Sequence, residues 1–352
     1  MKPAAVEYFV CPRCKEALTL HILEADAEEV MEGRLACRRC DADYSITRGV
    51  PRFVSRGAYA ASFGFQWDRF RTIQLDSING TDESARTLHG TTGWTEPDYR
   101  SRLVLDAGVG AGRFAEIVAM RGGEVVGIDL TTAVDAAYLN IGRHPGVHLA
   151  QADIFAMPFR DDTFDLAYSI GVLHHTPDPA AAFGRVAAVV KPGGQLAVYM
   201  YARYGPDHYV VDAIRTVTTR LPLRVALALS ATAIPLYYLY RLRAVGKLLH
   251  LFWPISVHPD WRWRWLDTFD SLTPRYQWKF LYPEVFRWFR AHGFRDIEIF
   301  NEPIRMRGTK IGEHVIDTRE DRPMPEGASA DGGRTAPADR GRVLQDSQPA
   351  GG

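Results

Sequence analysis

The sequence predicts an α/β protein with a parallel, nucleotide-binding type of sheet, a small cysteine module before it and a helical insertion late in the chain. Three observations predict this. The apolar run 103–107 contains Asp106 and opens into Gly108, Gly110 and Gly112 just before a helical stretch. Strand-sized apolar runs recur at 124–129, 147–153, 163–170 and 190–198, spaced by helical segments, as in a sheet with crossover helices. Two C-x-x-C pairs, Cys11/Cys14 and Cys37/Cys40, precede them all.

Alternate glycines between a strand and a helix let the backbone approach a ligand closely, because no Cβ stands in the way. Such a turn serves NAD, FAD or S-adenosylmethionine (SAM) equally. The second run ends in Asp129, placed to meet two ribose hydroxyls, which again suits either NAD or SAM. The third run separates them. It ends in Asp153, followed by Ile154 and Ala-Met-Pro-Phe159, where an acid accepts from an adenine amino group while an aliphatic side chain covers the ring. That constellation favours SAM.

These residues resemble class I SAM-dependent methyltransferases, of the small-molecule type that includes the ubiquinone and menaquinone biosynthesis enzymes, over about residues 100–202. The resemblance implies a Rossmann-like seven-stranded class I methyltransferase fold. It places Asp106, Gly108, Gly110 and Gly112 around the methionine part of SAM, Asp129 and Leu130 at the ribose, and Asp153 and Ile154 at the adenine. Ser169, Ile170 and Gly171 then line the floor beneath the sulfonium. Any one of these acids alone reads as a helix cap or a surface carboxylate.

The two cysteine pairs have zinc-ribbon spacing: each knuckle points two thiolates at one ion, closing a structural tetrahedron with no open position. The chain holds these four cysteines and no others, and no secretory signal precedes Cys11, so disulfides are the weaker reading. Together with 43–53, the module resembles the small zinc-ribbon proteins that activate methyltransferases, and the whole resembles bacterial proteins that join such a ribbon to a methyltransferase domain. The expected organisation is a zinc ribbon at 1–56, an aromatic linker or lid at 57–100, a methyltransferase domain at 101–312 with an insertion at about 203–272, and a disordered tail at 313–352.

Equal numbers of acidic and basic residues, 42 each, leave no global field to draw nucleic acid. Arg13, Arg38 and Arg39 read as a solvated ribbon surface. With no cysteine outside the ribbon, a cysteine nucleophile for pyrimidine C5 methylation is lacking. The string 169–175 also lacks the Asn/Asp-Pro-Pro-aromatic pattern of amino-methylating enzymes. Length and composition agree with a cytoplasmic enzyme, with membrane association as the alternative.

The stretch 62–70 is too rich in large side chains for a flexible linker, and Phe63, Phe65 and Trp67 are candidates for a lid that closes over the cofactor, as in similar enzymes, with Trp67 in contact with it, or for plain core packing. Residues 90–94 are expected near the site entrance. After Tyr201 the chain inserts about seventy residues, among them a largely apolar stretch at 221–240 interrupted by Pro222 and Pro235. One span would separate the cofactor fold from its own last strands, so this insert reads as a cap, a peripheral membrane contact or a homodimer surface. A helix with Pro283 near its start and Gly293 at its end leads to a closing hairpin. By family resemblance Asp270, Arg275 and Tyr276 lie near the acceptor.

Methyl transfer from a sulfonium is an in-line displacement, so the protein aligns the two partners and removes a proton where the acceptor carries one. His174 and His175, just after the fourth strand, are candidate bases, with helix capping and packing as the plain alternative, and Tyr201 is a candidate for orienting an acceptor oxygen. The expected activity is methylation at oxygen or carbon of a small, hydrophobic, lipid-like metabolite. An rRNA or tRNA methyltransferase and a non-catalytic SAM-binding scaffold are the alternatives.

Overall fold

The structure is a computed structural model and describes residues 1–54, 60–204, 207–250, 252–301 and 304–312. Strands β1 (Thr19–Asp26), β2 (Glu29–Cys37), β3 (Ala42–Thr47) and β4 (Val50–Pro51) form an antiparallel sheet in that order. Alternation sets its inner face: Gly33, Leu35 and Cys37 of β2 and Ala42, Tyr44 and Ile46 of β3 are buried, with exposed or half-buried residues between them. The ribbon does not stand apart from the rest. Phe9 packs against Phe53 and Phe159, and beyond β4 the chain pairs with the edge of the large sheet, Phe53 N donating to Gln151 O at 2.8 Å.

Four helices follow: α1 (Ala61–Phe70), α2 (Asp76–Asn79), α3 (Glu83–Thr92) and α4 (Glu96–Tyr99). The large domain then alternates as the apolar runs require, through β5 (Leu103–Ala107), α5 (Arg113–Met120), β6 (Glu124–Asp129), α6 (Ala133–Ile141), β7 (Val147–Gln151), β8 (Phe164–Ile170), α7 (Pro179–Ala188) and β9 (Val190–Tyr199). Asp178 caps α7 by accepting from Ala181 N, with Pro179 in the first turn, where its missing N–H has no partner to lose.

The insertion folds into α8 (Asp207–Thr218), α9 (Leu223–Ser230), α10 (Ala233–Tyr240), α11 (Arg243–His250) and α12 (Trp261–Leu272). Last come α13 (Tyr282–Ala291), β10 (Phe294–Ile299) and β11 (Arg305–Lys310). The seven strands lie in the order β10-β11-β9-β8-β5-β6-β7, parallel from β9 to β7, with β11 antiparallel between β9 and β10. This is the seven-stranded, Rossmann-like α/β fold expected from the sequence. The expected tail at 313–352, and the start of the linker at 57–59, lie outside the described residues.

Candidate functional site

The strand order reverses between β5 and β8, and a crevice opens there at the C-terminal ends of the strands, the usual ligand position in open α/β sheets. The cavity occupies about 350 Å³. One half is lined by Gly108, Gly110, Asp129, Leu130, Ile154, Ile170 and Gly171. The rest of the lining comes from α1, α12, the start of α5 and the strand ends, including Trp67, Arg113, His175, Tyr201, Asp267 and Asp270.

The glycine turn is a cradle for a ligand. Gly108 has φ +104° and Gly110 φ +53°; a Cβ on Gly108 would collide with Val172, and one on Gly110 would lie 3.3 Å from Trp67 Nε1. Asp129 is anchored by Gly110 N to Oδ2 (3.1 Å), and by Thr131 N (2.8 Å) and Oγ1 (2.7 Å) to Oδ1. Burial pushes its pKa up against these three donors. Held this way, the carboxylate keeps a lone pair on Oδ2 for a ribose hydroxyl, so the residues present fit a nucleoside such as that of SAM.

Several residues singled out in the sequence do not line the cavity. Asp106 lies inside β5 with 2% exposure, accepts from Tyr168 OH at 2.9 Å, and is pushed by burial up to about 7. Gly112 makes room for α6, since a Cβ there would be 2.7 Å from Ile141. Asp153 caps a short helical turn through Phe155 N, and Ser169 is fully buried with its hydroxyl on Ala107 O. His174 is fully buried, 3.9 Å from Tyr201 between ring centroids, and burial holds it well below the usual imidazole pKa. Gly112, Asp153, Ser169 and His174 each sit one position away from a residue that does face the crevice, and strand or turn geometry turns them aside. The expectation for 90–94 is also corrected: Trp94 is buried against Tyr99 and Tyr168 and donates to Gln195 Oε1, so this stretch packs on the sheet.

His175 does face the cavity. Its Nδ1 lies 2.8 Å from Tyr276 O, which makes Nδ1 the protonated nitrogen and leaves the lone pair on Nε2, buried and without a partner among the described residues. Burial lowers its pKa, although Asp270 and the Tyr276 carbonyl act the other way. Phe63 packs on its ring at 5.1 Å. Tyr201 OH donates to Asp270 Oδ2 and Gln66 Nε2 to Oδ1, both at 3.4 Å. Arg275 is exposed, and Tyr276 contributes its carbonyl.

Sequence reasoning missed Arg113, Gln66 and Asp267. The Arg113 guanidinium lies 4.3 Å from the Phe114 ring, has no hydrogen bond or ion pair among the described residues, and has its pKa lowered by burial against the pull of Asp267, Asp76 and Asp270. Burial pushes Asp267 up to about 7, with Asp270 adding to the shift. The i, i+3 spacing of Asp267 and Asp270 on a helix was the available signal, since it puts both on one face.

The four cysteine sulfurs lie within 4.8 Å of one another, with Cys11–Cys40, Cys14–Cys37 and Cys14–Cys40 at 3.4, 3.5 and 3.7 Å. A tetrahedron with metal–sulfur bonds of about 2.3 Å has sulfurs about 3.8 Å apart, so the set fits a zinc ion. Burial opposes ionisation of Cys11, yet hydrogen bonds from Tyr44 OH and the backbone at Cys14 and Arg13 outweigh it and bring the pKa to about 6. Beside it, Cys40 is pushed up to about 12, chiefly by its contact with Cys11. A cation would relieve that crowding of negative charge.

Fold and site define a seven-stranded α/β domain with a crevice at the strand ends that fits a nucleoside. Residues 105–198 match the family model described as a methyltransferase domain. The chain is 38% identical over 120 residues to a ubiquinone biosynthesis O-methyltransferase of Aromatoleum aromaticum, covering 30% of this chain and 51% of that protein. It is 35% identical over 196 residues to a sterol 24-C-methyltransferase of Eremothecium gossypii, covering 53% and 49%. Among solved structures, an S-adenosylmethionine dependent methyltransferase from Mesorhizobium loti is 27% identical with a TM-score of 0.30, covering 36% of this chain and 55% of that one. The chain spans about half the length of the curated relatives it matches.

Proposed function

We propose that this chain is a SAM-dependent methyltransferase that methylates an oxygen or carbon of a small, largely hydrophobic acceptor. The observation that carries this reading is the single cavity in which the Asp129 cradle and the unpartnered Nε2 of His175 face the same space. SAM supplies an electrophilic methyl group on a sulfonium and leaves as a neutral thioether. Gly108 and Gly110 admit it closely, Asp129 and Leu130 hold the ribose, Ile154 covers the adenine, and Arg113 offers its charge to a carboxylate at the methionine end.

The acceptor lies toward α1 and α12, between Phe63, Trp67, Tyr201, Trp263 and Leu266, a lining that suits a flat apolar body. Where the acceptor is a hydroxyl, its proton passes to Nε2 of His175, which is neutral at pH 7, as its oxygen takes the methyl group. Tyr201 and Asp270 fix the orientation of the polar end. Relatives named for quinone and sterol methylation support a small-molecule acceptor of this kind. The zinc ribbon is structural.

Methyl-tritiated SAM added to a cell lysate with the wild-type protein or Asp129→Ala tests the reading. Label in the organic-extractable fraction that requires Asp129 is the expected result. Label confined to RNA, or none in any fraction, overturns it.

A further inference from the structure

We infer that the outer face of the inserted helices α9–α11 docks on an anionic lipid surface. The inference rests on the surface alone and not on the identity of the methyl acceptor.

The insert has an unusual charge pattern for a chain of zero net charge. From 213 to 259 there is no Asp or Glu, while Arg215, Arg220, Arg224, Arg241, Arg243 and Lys247 are all basic. Arg215 is taken up internally, its guanidinium on Ser271 O and Pro274 O, which leaves an excess of positive charge on the rest of the segment. Apolar exposure gathers in the same place. Val225, Tyr238, Leu239, Leu242, Val245, Leu248 and Phe252 are between 42% and 73% exposed. Val245 and Leu248 are i, i+3 on one face of α11, and Phe252 is exposed two residues beyond its end.

The inner face is committed to the protein. Trp265 Nε1 donates to Leu227 O and Ser230 Oγ, Arg264 Nε donates to Ala233 O, and Trp253 Nε1 donates to Thr232 Oγ1. These bonds tie α9 and α10 to α12 and to the segment before it. By length and mean hydropathy (1.3), 223–240 could cross a membrane, but the helix breaks between Ser230 and Ala233, and only 28% of it is buried. A stretch held on one side, bare and apolar on the other and rimmed by arginines without acids has the composition of an interfacial element. Basic side chains next to apolar ones draw such a face to anionic headgroups, and the apolar groups enter the acyl boundary. The same charge pattern opposes a second copy, because two such faces would repel each other.

Co-sedimentation of the full chain with vesicles tests this, using pure phosphatidylcholine or phosphatidylcholine with 30% phosphatidylglycerol, at low and high salt. At least tenfold more protein should partition to the anionic vesicles, with most of that excess lost at high salt. The double variant Leu242→Glu/Leu248→Glu should lose the binding while keeping wild-type SAM affinity by calorimetry; both side chains are exposed, so the fold does not depend on them. Equal recovery with both vesicle types, or none with either, overturns the inference. So does a concentration-dependent dimer that the double variant abolishes in the absence of vesicle binding, which would assign the face to a second copy.

Discussion

Arg52 and Asp135 join the cysteine module to α6, close to Asp129 and Leu130 of the cavity lining: Nη2 donates to Oδ1 at 2.6 Å and Nη1 to Oδ2 at 3.3 Å. The same Nη1 reaches Gln151 Oε1 at 3.2 Å, and Gln151 Nε2 donates to Leu130 O at 2.9 Å, one residue beyond Asp129. Both partners of the ion pair are nearly buried, with side-chain exposures of 12% and 14%. Removing the Arg52 cation leaves Asp135 facing Arg48 Nη2 at 3.4 Å, a largely exposed and weaker partner, a loss of about 1–3 kcal/mol. Arg52→Ala should lower the melting temperature and weaken SAM binding several-fold, read by calorimetry. A lower melting temperature with unchanged SAM affinity would show that the link supports the fold without positioning the cofactor loop.

Zinc should be present at one ion per chain by metal analysis. In ribbons of this size the metal's binding energy is folding energy. Chelation, or Cys37→Ser, should therefore unfold β1–β4 and expose Phe9 and Phe53, visible as lost thermal stability and increased dye binding. A metal content far below one ion would sink the prediction.

Asp129→Ala should weaken SAM binding about tenfold to a hundredfold, the scale of losing hydrogen bonds to a charged group. Asp153→Ala should do far less to SAM binding, since Asp153 does not line the cavity and its Oδ1 caps Phe155 N. Equal losses from the two variants would contradict the placement of the ribose acid.

The pH profile should report His175. Its folded pKa is lowered from 6.5, so the neutral base persists to lower pH than a free imidazole would allow, and the acid limb of kcat should fall below pH 6.5. His175→Gln should lower kcat by roughly 10²–10⁴ with little change in SAM affinity. Stability follows the same sign. Both His174 and His175 resist protonation when folded, so below pH 6.5 the unfolded chain binds more protons and stability falls as pH falls. His174→Phe should flatten that decline in thermal melts without shifting the kinetic limb.

Much of this was legible in the chain because it is local. Strand-length apolar runs, three glycines before a helix and paired C-x-x-C knuckles impose their geometry through sterics and spacing that neighbours along the chain dictate. They located the sheet, the cradle at Gly108 and Gly110, Asp129 and the four sulfurs. The difference between His174 and His175, or between Ile154 and Asp153, was not legible, because one residue of rotation decides which of two adjacent side chains meets a cavity and which meets the core.

The sequence by itself therefore determined the class of fold, the glycine turn beside Asp129 and the cluster of four cysteine sulfurs, all set by short-range backbone chemistry. Only the tertiary structure decided that Gln66, from before the sheet, and Asp267 and Asp270, from an insert some two hundred residues later, close one cavity with Arg113 and His175. It also decided that the ribbon reaches the cofactor loop through Arg52. Those contacts come from packing α1 and α12 over the strand ends and β4 beside β7, and long-range packing leaves no periodic trace in a single chain.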